Sequence, residues 1–549
     1  MSAIPPTPAD RDIFGIARRQ GYDRFYPDFR WHIPERFNFA TDVVDAWAAH
    51  QDGLALVWEN ETGEQAELHF SDMAQLSGKL ADVLARQGVR KGDRVLVMLP
   101  RIPAWHVALT ACLRIGAVAV PCIEMLTARD VTYRARNAEA RAIICRAVQV
   151  AKFADVAEEV FVRIAIGGAP GWLDYDDVMA SASPEVTPAI VAAEDPTMMY
   201  YTSGSTGHPK GVLHAARALY AWRVCAIYWL DLDPRDRIWC TADTGWSKAA
   251  TSIIIGPWSC GACAFFYDGP FAPADRLRLL AKHKITVYCA PATELNRVVN
   301  DDPGQHDLTA LRRTVSAGEP MNPAVAERWQ DATGAGISEA YGLTEALMIV
   351  LNYPSEPVKI GSMGRPAPGC TVAIVDEAGH RLAIGEEGHI AVLAPNPQMM
   401  LGYWKEQELT ESRFVEGPEG RWFLTGDLGI EDEDGYIWFA GRSDDVINSA
   451  GYRIGPLEVE NALLEHDGVQ ECAVVSSPDE ARGEVVKAFI VLRDGLAASA
   501  TLIEELQNHV KSVTAPYKYP RAIEIIDELP KTITGKILRR ELRDKEWGR

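Results

Sequence analysis

The chain has 549 residues, 47% of them hydrophobic, and a formal net charge of −21. That length exceeds what one compact core fills, so about two to four domains are expected, and the apolar fraction excludes disorder as the default state. The acidic balance argues against a general nucleic-acid or anionic-membrane binder, while leaving room for a local basic patch on a phosphate ligand.

In chain order, the opening MSAIPPTPADRD lacks the basic-then-apolar pattern of a secretory signal. Gln75–Val89 has apolar residues at helical spacing, and Arg94–Pro100 is a short apolar run closed by a proline. The most apolar long stretch, Val107–Val120, is interrupted by Arg114 and falls short of a membrane span. Ala117–Cys122 and Ala140–Cys145 read as further strands, and the alternation predicts α/β units with buried strands. The 10 cysteines are scattered, and only Cys260 and Cys263 form a close pair. Their apolar setting favours buried free thiols over a redox motif or half a metal site, which fits a reducing, cytoplasmic compartment.

The stretch TSGSTGHPKGV, Thr202–Val212, follows the strand-like PTMMYY. Its small residues allow a tight turn whose backbone N–H groups make an anion-binding concavity. Thr202, Ser203, Ser205 and Thr206 add hydroxyls, Gly204 and Gly207 add freedom, and Lys210 follows His208 and Pro209 with a positive charge. Phosphate is the natural guest. The spacing is not that of the G-x-x-x-x-G-K-[ST] loop, and a solvent-facing turn is the plain alternative for such a segment alone.

Downstream, Lys284–Ala290 is strand-like and Leu311–Pro320 reads as strand then turn. From about Thr371, short β runs joined by Gly-, Asp- and Glu-rich turns predict a small antiparallel region. Near Gly441 the texture changes again, to helix PLEVENALLEH, strands ECAVVSSP and VVKAFIVL, a helix over Leu502–Ser512, strand AIEIIDELP and a basic tail. The expected fold is a large α/β part, residues 1–442, with a β-rich subregion at about 371–442, followed by a small α+β domain, 443–549.

TSGSTGHPKG resembles the phosphate-loop signature of the adenylate-forming, AMP-binding enzymes. AGEP at Ala317, EAYGLTE at Glu339, TGDLG at Thr425, GRSDDVI at Gly441, GYRIGPLEVE at Gly451 and PKTITGKILRRELR at Pro530 follow in the family's order. FNFATDVVDAWA, TADTGW and VKSVTAPYKYPR resemble the medium-chain acyl-CoA synthetases. The resemblance implies two half-reactions: a carboxylate attacks the α-phosphate of ATP, releasing pyrophosphate, and the thiol of coenzyme A then expels AMP.

It also implies roles. Thr202 to Lys210 cradle phosphate. Thr206 and Glu345 hold Mg²⁺, whose preference for hard oxygen ligands suits a hydroxyl and a carboxylate. Gly318, Glu319 and Pro320, with Glu339, Ala340, Tyr341, Gly342, Leu343 and Thr344, line the nucleotide, Tyr341 stacking on adenine. Asp427 accepts the ribose hydroxyls from a glycine-flanked turn, Arg442 supports that region, and Arg453 engages phosphate. Lys536 offsets the charge that builds between carboxylate and α-phosphate. Asp444 matches the hinge of a mobile C-terminal lid. Ala450, Gly451, Tyr452, Arg482, Lys511, Tyr519, Pro520 and Arg521 are expected at coenzyme A, and Trp246 at the acyl tunnel. Leu343 stands where relatives more usually carry glutamine, which bears on acid preference. The leading expectation is an ATP-dependent medium-chain acid–CoA ligase, compatible with a homo-oligomer, without nucleic-acid partners or stable membrane insertion. An aryl or 2-oxo acid ligase is the enzymatic alternative, and a non-catalytic nucleotide-binding scaffold is the alternative of another class.

Overall fold

The computed structural model describes residues 21–202, 208–443, 445–449, 452–479, 482–493, 495–531 and 537–548, without the side chains of Asn448, Tyr452 and Arg453. They form two compact units, Met1–Thr371 with Leu393–Phe414, and Val372–Val392 with Val415–Arg549. The β-rich subregion is therefore divided: Val372–Val392 and the residues from Val415 group with the C-terminal part, and Leu393–Phe414 with the first unit.

The first unit is α/β. One sheet runs in the order Gly402–Tyr403, Lys210–Ala215, Pro196–Thr202, Val118–Pro121, Arg94–Met98, Ala140–Arg146, Val162–Ile166 and Leu173–Asp174. Its five later members pair in parallel, and the first three are joined antiparallel. The central strands are buried along most of their length, as strands covered on both faces must be. The apolar stretch around Arg114 resolves into helix Pro103–Arg114 and strand Val118–Pro121. Arg114 is tolerated inside because Asp45 grips its guanidinium with two bonds, of 2.7 and 2.6 Å. A charge removed from water needs such a partner.

A second run of strands in this unit carries Arg237–Cys240, Val287–Cys289, Arg313–Ala317 and Ile337–Leu343 as consecutive parallel neighbours, and Leu347–Leu351 returns antiparallel. Helix Pro323–Thr333 connects two of them and packs Trp329 into the core formed with Tyr288, Leu295 and Ile337. Open parallel sheets place ligand sites outside the carboxyl ends of their strands, and the motifs at 241–248, 317–320 and 202–210 all begin there.

The second unit joins an antiparallel group, Val372–Val375, Glu387–Leu393, Gly420–Glu431 and Ile437–Arg442, to a mixed sheet. In the latter, Val469–Asp479 pairs antiparallel with Gly483–Leu492, and Ala522–Ile525 joins in parallel. Period-two alternation decides its packing. Cys472 and Val474 face the cluster completed by helices Pro456–Leu464 and Ala500–Val513, whereas Ala473 and Val475 face Leu529 and Leu542. All ten cysteines are free and buried. Among the described residues no helix is long and apolar enough to cross a membrane.

Candidate functional site

Thr202 and Lys210 are register partners at the open end of the antiparallel pair Pro196–Thr202 and Lys210–Ala215. The glycine-rich loop therefore spans a strand end. Ser203, Gly204, Ser205, Thr206 and Gly207 themselves lie outside the described residues. His208 stacks on Tyr133, with ring centroids 4.9 Å apart. Pro209 is half-buried beside it.

Lys210 places its ammonium 5.6 Å from the ring centre of Tyr403. The Tyr403 hydroxyl donates to Glu345 Oε1 at 2.7 Å. Glu345 sits in the turn between strands Ile337–Leu343 and Leu347–Leu351, and its backbone carbonyl accepts from Met400 N at 2.7 Å. A cation, a phenol and a carboxylate are thus gathered by three separate segments. The carboxylate, oriented through one oxygen, is a hard donor of the kind Mg²⁺ takes, so the described part of the donor set fits that ion. Thr206 is the other expected ligand.

The turn is anchored from beneath. His214 Nε2 donates to the carbonyl of Thr344 at 2.8 Å, which places the ring proton on Nε2. Full burial pushes the imidazole pKa down to about 3, so the ring is neutral at physiological pH. Gly342 must lack a side chain, because a Cβ there would lie 1.9 Å from the carbonyl oxygen of Leu347. The strand pair shifts register between Tyr341 and Gly342, and Tyr341 is buried, 9% exposed. Leu343 is half-buried at the strand's end.

Ala340 is the register partner of Ala317, where the AGEP turn begins. Gly318 turns the chain with φ of +99°. Glu319 accepts from Thr293 N and Oγ1, at 3.2 and 2.7 Å, and Pro320 leads to Met321. Met321 N donates to Glu339 Oε1 at 3.0 Å. Burial pushes the Glu339 carboxyl pKa up to about 7, against the opposing pull of the Met321 and Gly361 N–H groups. Trp246 is half-buried against the cluster containing Cys122, Ile123 and Met199. Its neighbours reach the EAYGLTE and AGEP segments: Ser247 Oγ lies 3.2 Å from Thr344 Oγ1, and Lys248 Nζ donates to Ala317 O at 2.9 Å.

In the second unit Asp427 lies within strand Gly420–Glu431, not in the free turn its glycines suggested. Gly426, at φ +86°, and a register shift between Leu428 and Gly429 supply the local bend. Asp427 is register partner to Arg442, whose Nη1 stands 3.2 Å from its Oδ1. Arg453 is on strand Tyr452–Ile454, opposite Asn448. Arg482 N donates to Asp479 Oδ1 at 2.8 Å. Lys511 and Arg521 converge on Tyr519, 4.2 and 4.9 Å from its ring centre, and Arg521 Nη1 donates to its hydroxyl at 3.0 Å. Pro520 presents its carbonyl to Gln507. Asp444, Ala450, Gly451 and Lys536 lie outside the described residues, as do the side chains of Tyr452 and Arg453.

Tyr403, His214, Ser247 and Lys248 were not singled out by sequence reasoning. The signal for Tyr403 lay in GYW: its neighbour Trp404 donates its backbone N–H to Gly211 O at 2.7 Å and packs where a Cβ on Gly211 would intrude.

In the first unit Thr202 and Lys210 bracket the glycine-rich segment and Tyr403 tethers the turn at Glu345; in the second, Asp427 pairs with Arg442. The family described as AMP-binding enzyme matches residues 43–404, and the AMP-binding enzyme C-terminal domain matches 458–536. The chain belongs to the AMP-binding enzymes. It is 42% identical over 542 residues to the Homo sapiens protein named acyl-coenzyme A synthetase ACSM3, mitochondrial, covering 96% of this chain and 92% of that one. Among solved structures it resembles the anthranilate CoA ligase AuaEII in complex with anthranoyl-AMP, with TM-score 0.84 and 29% identity over 93% of this chain and 98% of that one. It resembles a benzoate CoA ligase from Burkholderia xenovorans LB400 with TM-score 0.81 and 29% identity, over 92% of this chain and all of that one.

Proposed function

We propose that this chain is an AMP-forming acid–CoA ligase acting on medium-chain fatty acids. A carboxylate oxygen attacks the α-phosphorus of ATP and pyrophosphate leaves. The sulfur of coenzyme A then attacks the acyl carbon, giving the thioester and AMP. Similarity to an acyl-coenzyme A synthetase over 96% of this chain, with Lys210, Glu345, Asp427, Arg453 and Lys536 present in the motifs that resemble the family's, carries this reading.

In this scheme the 202–210 loop binds phosphate, and Tyr341 with the 317–320 turn borders the base. Asp427 accepts the ribose hydroxyls, oriented by Arg442, and Arg453 engages phosphate. Thr206 and Glu345 hold Mg²⁺, with Tyr403 fixing the carboxylate's orientation. When bound, the ion neutralises charge on the phosphate oxygens. Lys536 screens carboxylate from phosphate during attack. Residues 443–549 act as the lid, with Asp444 as hinge and Ala450, Gly451 and Tyr452 near coenzyme A. Lys511, Tyr519, Pro520 and Arg521, joined by Arg482, receive its phosphates. The convergence of two cations on Tyr519 supports that assignment.

The test is a panel of acids from butyrate to decanoate, with benzoate and a 2-oxo acid, incubated with ATP, Mg²⁺ and coenzyme A. AMP and thioester are expected together, and no AMP from any acid refutes the ligase reading. The aryl reading is favoured by the anthranilate and benzoate ligases among the similar structures. Competition between octanoate and benzoate separates the two. We place the protein in a reducing compartment because its cysteines are all free thiols. Cell fractionation decides between the cytoplasm and the mitochondrial location named for its relative.

A further inference from the structure

Lys248 stands two residues after Trp246, in the short helix Ser247–Ala249 that follows strand Arg237–Cys240. Its side chain is half-buried, and among the described residues no carboxylate pairs with it. Its hydrogen bond goes to a backbone carbonyl, Ala317 O at 2.9 Å, where the AGEP turn begins. The adjacent Ser247 hydroxyl meets that of Thr344, the residue before Glu345, at 3.2 Å. Lys248 is thereby fixed between Trp246 and the two nucleotide motifs.

Its charge also acts on two buried thiols. Cys240 and Cys289 are register partners on neighbouring parallel strands, and both feel its charge. The Cys289 thiol is drawn down first by its hydrogen bond with Cys240, and the Lys248 ammonium and Ser252 hydroxyl add to this. A half-desolvated ammonium with no carboxylate partner among the described residues gains most from an anion delivered by a ligand. The carboxyl ends of these parallel strands are where such a ligand enters.

We propose that Lys248 receives the carboxylate of the acid substrate and positions it beside the Thr344–Glu345 turn. This rests on the ligase reading. The contact is made to the free acid: once the carboxylate oxygen is bonded to phosphorus, the acyl group no longer carries the full charge that Lys248 recognises.

The full chain is compared with Lys248→Met and Lys248→Arg. Lys248→Met is expected to raise KM for the acid about ten-fold or more, with KM for ATP within about two-fold. Thioester formation from supplied acyl-adenylate is expected to stay near wild type, and Lys248→Arg to recover most of the acid KM. Calorimetric binding of octanoate and of benzoate to each protein reads the same contact without turnover, and both affinities are expected to fall in Lys248→Met. An unchanged acid KM and affinity overturns the proposal. So does equal loss from supplied adenylate, which would mean that Lys248 serves the pocket's shape. So does an arginine variant no better than methionine. Absence of AMP from any acid with the wild-type chain instead overturns the ligase reading, while carboxylate binding still decides the role of Lys248.

Discussion

Replacing Glu339 with glutamine removes one buried ionisation beside Met321 while keeping the side chain's size. Burial raises the Glu339 pKa from its ordinary 4.5 to about 7. Between those values the folded chain holds a proton that the unfolded chain releases. The group is therefore neutral in its effect below about pH 4.5, becomes destabilising as pH rises, and reaches its full effect above about pH 7. Two and a half pH units correspond to about 3 kcal/mol, of which roughly 2 kcal/mol develops between pH 5.5 and pH 8. The variant loses this dependence. Its amide cannot accept from both Met321 N and Gly361 N through equivalent oxygens, so a constant cost of about 1–2 kcal/mol is expected at every pH. Native-state hydrogen exchange at the Met321 amide, compared between the two proteins at each pH, cancels intrinsic exchange rates. Glu339→Gln is expected to gain on wild type by roughly 2 kcal/mol from about pH 5.5 to pH 8. A difference constant to within about 0.5 kcal/mol across that range would refute the claim that this carboxyl titrates near neutrality.

Lys536→Ala is expected to cripple acyl-adenylate synthesis by about 100-fold or more while largely sparing thioester formation from supplied adenylate; equal loss in both steps, measured by pyrophosphate release and thioester yield, removes its assigned role. Gly451→Leu is expected to do the reverse, slowing thioesterification alone, and normal thioester formation would count against coenzyme A passing there. Tyr403→Phe deletes the hydroxyl that orients Glu345 and is expected to raise the Mg²⁺ concentration needed for half-maximal rate about ten-fold, with KM for coenzyme A unmoved. Lys511→Ala with Arg521→Ala is expected to raise KM for coenzyme A about ten-fold or more and to leave adenylate formation intact; a matched rise for coenzyme A lacking its 3′-phosphate would show that the pair reads another part of the molecule.

The order of helices and strands was largely legible because each carries its own periodicity. The helix expected over Leu502–Ser512 is Ala500–Val513, and the run Lys284–Ala290 contains strand Val287–Cys289. The strand expected before the glycine-rich loop is Pro196–Thr202, while Ser203–Gly207 of the loop itself lie outside the described residues. Asp427 was less legible: its glycines mark a bulge within a strand, since Gly426 bends the chain without releasing it from its neighbours.

Local chemistry, then, was determined by sequence alone: which segments could cradle an anion, which residues could carry charge, and which faces had to be buried. Tertiary structure alone decided the company those residues keep. Tyr403 reaches Glu345 across 58 positions of chain, His214 reaches Thr344 across 130, and Lys248 reaches Ala317 across 69. The physical reason is that periodicity and turn chemistry act over a few residues, whereas a buried charge or donor is satisfied by whatever the closed sheet brings within hydrogen-bond distance.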